Sequence, residues 1–75
     1  MKMHQIIKNY IKRNGLKMNY VAHQCDINPK RFYRIINGDA PLDVEEYSKI
    51  CEGLNVSPGY FFENNFLETK NEQIV

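Results

Sequence analysis

A chain of 75 residues that is 43% hydrophobic and 12% aromatic can build one small core, which excludes a second domain and wholesale disorder. Its formal net charge of +1 hides an asymmetry: residues 1–34 hold eight Lys and Arg against Asp26 alone, while residues 35–75 hold two against eight acids. That division predicts a basic surface facing a polyanion and an acidic surface turned away, and the lack of a long apolar run at the start predicts a cytoplasmic protein with no signal peptide or membrane span.

Met3, Ile6, Ile7, Tyr10 and Ile11 repeat at i, i+3, i+4, i+7 and i+8, which predicts an amphipathic first helix. Lys8, Lys12 and Arg13 lie off its apolar stripe, and Asn14-Gly15 ends it. A second helix is expected over about 17–24, burying Tyr20 or Val21 together with Ala22 and Cys25; the small Ala22 lets a following helix approach closely. The turn Cys25-Asp26-Ile27 then leads into Asn28-Pro29, a capping residue followed by the proline favoured at a first helical position. The third helix runs to Asn37-Gly38, with Phe32, Ile35 and Ile36 on one side and Lys30, Tyr33, Arg34 and Asn37 on the other. Two long cations, a phenol and an amide on one outward face suit the groove of a nucleic acid.

After a loop stiffened by Pro41, Asp43 and Glu46 stand three apart as a capping box, opening a fourth helix whose inward stripe is expected to be Val44, Tyr47, Ile50, Cys51 and Leu54. Gly53 reads as a weak spot costing about 1 kcal/mol relative to alanine, and Asn55 as a left-handed stop. Ser57-Pro58 repeats the cap-and-proline signature before a fifth helix holding Tyr60, Phe61 and Phe62, extending to Phe66 and Leu67. The folded domain is thus expected over residues 1–67, with 68–75 a polar, frayed tail. Cys25 and Cys51 read as reduced core residues, and no two of these cysteines with His4 and His23 have helical ligand spacing, so neither metal nor other cofactor is expected. With no glycine-rich phosphate loop, no carboxylate pair facing a nucleophile and too little chain to enclose a pocket, the protein is not expected to be an enzyme.

Two short helices joined by a tight turn, with three more around them, form an all-α, compact five-helix pattern whose second and third helices make a helix-turn-helix. Leu16-Lys17-Met18-Asn19-Tyr20-Val21-Ala22, the stretch from Ile27 to Gly38, Ile50 to Ser57 and Phe61-Phe62 together resemble the phage repressor and Cro type of domain, the XRE family, over roughly residues 4–62. The resemblance implies a lambda-repressor-like fold, and a small transcriptional regulator of phage, prophage or bacterial origin that binds double-stranded DNA in the major groove and represses by blocking polymerase. On its pattern Asn28, Lys30 and Arg34 are base-reading candidates, while Lys17, Arg31, Tyr33 and Asn37 suit phosphate contacts. One such module buries little surface, so a homodimer on a pseudo-palindromic operator is expected, paired through Tyr60, Phe61, Phe62, Phe66 and Leu67. The chain departs from the family at Met18, where glutamine is usual, at Asp26, where glycine is usual, and at Pro29, where a polar contact residue is frequent. The alternative is a protein-interaction module, an accessory factor that binds another regulator on the same scaffold.

Overall fold

The computed structural model describes residues 2–63, and within them the chain is helical with no strand. The helices are α1 (Met3–Arg13), α2 (Met18–Gln24), α3 (Pro29–Ile36) and α4 (Val44–Leu54). A further helical segment at 60–63 opens the expected α5, its first turn closed by Tyr60 N–H donating to the Ser57 carbonyl at 3.0 Å. Phe66, Leu67 and the tail 68–75 lie outside the described residues.

Each of the four helices ends in the same way. Gly15, Asp26, Gly38 and Asn55, the residues with positive φ among those described, stand just past α1, α2, α3 and α4. Each reverses the chain so that the next amide returns to a carbonyl five residues earlier: Leu16 to Ile11 at 3.0 Å, Ile27 to Ala22 at 3.0 Å, Asp39 to Arg34 at 2.8 Å and Val56 to Cys51 at 2.9 Å. These bonds satisfy carbonyls that would otherwise lack partners, and they aim Leu16, Ile27 and Val56 back at the core. Asp26, at φ +55°, adopts a conformation that costs an acidic residue less than most others.

The core is assembled from Ile7 and Ile11 of α1, Val21 and Ala22 of α2, Cys25, Ile27, Phe32 and Ile36, Ile50 and Cys51 of α4, and Phe61. α1 packs on α3, and α2 packs on both α3 and α4. Phe61 is 1% exposed, with Tyr10 and Tyr60 edge-on to its ring at 5.5 and 5.3 Å between centroids. Tyr47 donates its hydroxyl proton to the Pro58 carbonyl, tying α4 to the start of α5. Cys25 and Cys51 are free and buried, and burial together with the neighbouring Cys51 pushes the Cys25 thiol up to about 11.

Two expectations for α4 are corrected. Val44 is 84% exposed and does not join the inward stripe. It is the first residue of α4, and Leu42, just before the Asp43 cap, packs on the core. Gly53 is not simply a weak spot: a Cβ there would lie 2.5 Å from Cys25 Sγ and 2.9 Å from both Cys25 Cα and N, so the missing side chain lets α4 close on the end of α2. Because two of those neighbours are backbone atoms that cannot swing aside, Gly53→Ala is expected to lower stability by about 1–3 kcal/mol, measured by urea unfolding, against the gain of about 1 kcal/mol that an open helix position would show.

Candidate nucleic-acid interface

The candidate face stands on α3, and its local chemistry explains why α3 starts and ends where it does. Asn28 Oδ1 accepts from Lys30 N–H at 2.9 Å and, at a longer 3.5 Å, from Arg31 N–H, while Pro29 fills the first helical position where no amide proton is needed. Pro29, unusual as a contact residue, is therefore well placed as a helix starter. With Asn28 Oδ1 committed to the cap, its amide NH2 is the group left to meet a ligand. Phe32, Ile35 and Ile36 are buried, and Lys30, Tyr33, Arg34 and Asn37 are exposed, Tyr33 by 43%. One side of an eight-residue helix is thus anchored in the core and the opposite side is open along its whole length.

The open side is cationic. Lys30 has no carboxylate within ion-pair distance among the described residues, and α3 carries no acid in its first turn. Arg34 makes one long contact, from Nη2 to the Asp39 carbonyl at 3.4 Å, and so is held only weakly against the loop that follows α3. Lys17 is exposed at the N-cap position of α2, where its side chain makes no capping bond, and Met18 beside it packs on the core.

Arg31, a phosphate candidate at the flank of this face, is already engaged within the fold. Its guanidinium forms a two-pronged pair with Glu46, Nε to Oε2 at 2.8 Å and Nη2 to Oε1 at 2.9 Å, with a further 3.4 Å contact to the Pro41 carbonyl. Glu46 Oε1 also accepts from Asp43 N–H at 3.4 Å, and Asp43 Oδ1 accepts from Glu46 N–H at 2.7 Å, so the expected capping box exists and carries a second task. Arg31 therefore fastens α3 to α4 with its charge already matched. The Arg31 fork holds the Glu46 carboxyl below the usual carboxylate range, and the Glu46 hydrogen bond raises the Arg31 guanidinium.

Asn37 is the C-cap of α3, and its Oδ1 accepts from Lys8 Nζ of α1 at 3.0 Å. Sequence reasoning did not select Lys8. Its position off the apolar stripe of α1 marks it as outward, but a contact across 29 residues leaves no local pattern to find. Of the expected pairing residues, Tyr60 is 37% and Phe62 58% exposed, whereas Phe61 is committed to the core and has no surface to offer a partner.

Residues 7–61 match the model of a helix-turn-helix family. No curated protein and no solved structure matches the chain. No helix among the described residues is long and apolar enough to cross a membrane.

A carboxyl held low in the folded state stabilises it above its unfolded value of about 4.3, and that contribution disappears as pH falls through the folded value. In urea unfolding followed from pH 7 down to 3, Glu46→Gln should therefore be less stable than the parent at neutral pH. The gap should close at the acid end, since glutamine keeps the capping geometry and removes only the charge.

Proposed function

The chain belongs to the XRE-type helix-turn-helix family, and from that premise we propose that it is a small transcriptional regulator that binds double-stranded DNA sequence-specifically, acting as a repressor. The observation that carries this reading is the two-sidedness of α3, with Phe32, Ile35 and Ile36 buried and Lys30, Tyr33 and Arg34 exposed on the opposite side. In the major groove Lys30 and Arg34 donate to guanine O6 and N7, each good bidentate pair being worth about 1–3 kcal/mol of discrimination. The Asn28 amide stands beside them at the leading end of α3, and Tyr33, Asn37 and Lys17 meet phosphates. Such an anion-binding face gains affinity by releasing counterions, so binding falls steeply as salt rises.

The chain acts as a homodimer, because a single module of this size covers too short a stretch of DNA for tight specific binding. Tyr60 and Phe62 supply exposed aromatic surface for the pairing. The same two side chains favour a second reading, a module that docks on another regulator; that association would respond weakly to salt.

Selection of bound sequences from random duplex DNA, with sedimentation of the free and bound protein, tests the reading. A recovered inverted repeat bound by two chains is the expected result. Lys30→Ala with Arg34→Ala should abolish preference for the selected sequence while the protein stays folded by circular dichroism. Failure to enrich any sequence, with no salt-sensitive binding to mixed duplex, would overturn the reading in favour of protein docking.

A further inference from the structure

We infer that Lys8 Nζ and the Asn37 amide nitrogen form a two-donor clamp for one DNA phosphate at the trailing end of the α3 face. This rests on the DNA-binding reading above and extends it to α1, to which no role in binding is otherwise assigned.

Three observations carry it. The first is the bond from Lys8 Nζ to Asn37 Oδ1 at 3.0 Å, which ties up the amide oxygen and leaves its NH2 as the donor available to a ligand. The ammonium spends one proton on that bond and keeps two, so the pair presents only donors, a match for the two free oxygens of a phosphodiester. The second is the state of the surrounding charges. α1 contains no acidic residue, and the ion pair among the described residues, Arg31 with Glu46, does not involve Lys8. The third is that the end of α3 does not need Lys8. Asn37 N–H donates to the Tyr33 carbonyl, Gly38 N–H to Ile35, and Asp39 and Ala40 N–H both to Arg34, so the carbonyls of residues 33–35 are already satisfied by backbone. Lys8 reaches the side-chain oxygen instead.

The dimensions agree. From Lys30 to Asn37 the helix advances about 10 Å at 1.5 Å per residue, against a major groove about 12 Å wide. With Lys30 and Arg34 at base edges, the trailing end of α3 reaches the sugar-phosphate wall, where Lys8 and Asn37 wait. Gly38, immediately beyond, has φ +82°, and a Cβ there would lie 2.7 Å from His4 Nε2, so the His4 ring of α1 lies against this end of α3. His4 stands one turn before Lys8 on α1, which packs on α3.

The test uses the full chain and the duplex selected above, with the slope of log binding constant against log salt as the readout. One neutralised phosphate contributes a slope of about −0.9 on duplex DNA. Lys8→Ala and Lys8→Gln should each flatten the slope by about that amount, and Lys8→Arg should restore it. Glutamine keeps a donor for Asn37 Oδ1 without the charge, so it separates the clamp from mere support of Asn37: unchanged slopes in Lys8→Gln would overturn the clamp. Lys49→Ala, at an exposed position of α4, should leave the slope as in the parent; if it flattens the slope as much as Lys8→Ala, the effect is one of total charge and the clamp is overturned. Absence of salt-dependent DNA binding by the parent itself would overturn the DNA reading, and the clamp with it, a result distinct from a parent that binds with a slope indifferent to Lys8.

Discussion

An eight-residue helix does not persist alone in water, because nucleating the first turn costs more than so few hydrogen bonds return. α3 exists because Phe32, Ile35 and Ile36 are removed from solvent against the neighbouring helices. Burial of each such side chain contributes about 1.5–3 kcal/mol, enough to hold the helix and to fix its rotation about its own axis. Rotation is what matters for function. Once the three apolar side chains point inward, helical geometry leaves Lys30, Tyr33, Arg34 and Asn37 no choice but to point outward.

Rotation alone leaves the helix free to tilt, and the polar contacts remove that freedom at both sides. Arg31 grips Glu46 at the start of α4, and Asn37 takes a hydrogen bond from Lys8 of α1. The two ties differ in kind. Arg31 meets an acid from the acidic half of the chain and its charge is matched, so the junction between the basic and acidic halves is also the joint between α3 and α4. Lys8 meets a neutral oxygen and its charge stays available. The sequence dipole is thereby sorted in space: the exposed α3 cations face outward, while Arg31, the one whose charge would sit nearest α4, is absorbed by it.

Much of this was legible in the sequence because it is written in local signals. Asn28-Pro29, Asp43 with Glu46, and the stops Gly15, Gly38 and Asn55 each depend on residues within one turn, and the structure uses them as expected. The buried stripe of α1 followed from its period for the same reason. What stayed hidden depends on packing between distant segments. Period alone put Val44 inside, because it cannot say where a bundle ends. It could not show that Gly53 faces the backbone of Cys25, that Arg31 pairs with Glu46, or that Phe61 rather than Tyr60 or Phe62 is buried. A run of three aromatics announces burial without saying which ring receives it.

Of the three departures from the family pattern, Asp26 and Met18 lie on the α2 side of the helix-turn-helix, and the fold absorbs them in different ways. Asp26 reproduces the left-handed turn that glycine would make, and its amide and that of Ile27 close the end of α2 on His23 and Ala22. The geometry between α2 and α3 is thus kept, while an exposed negative charge is left in the turn between them. Met18 trades a hydrogen-bonding amide for apolar contact with the core, which steadies α2 and removes a donor from its leading end. On the proposed DNA-binding reading, both changes leave the α2 side with less to attract an anion. A face with fewer donors there needs them elsewhere if it is to hold a phosphate backbone, and the trailing end of α3, where α1 brings Lys8 beside Asn37, is where this fold supplies them.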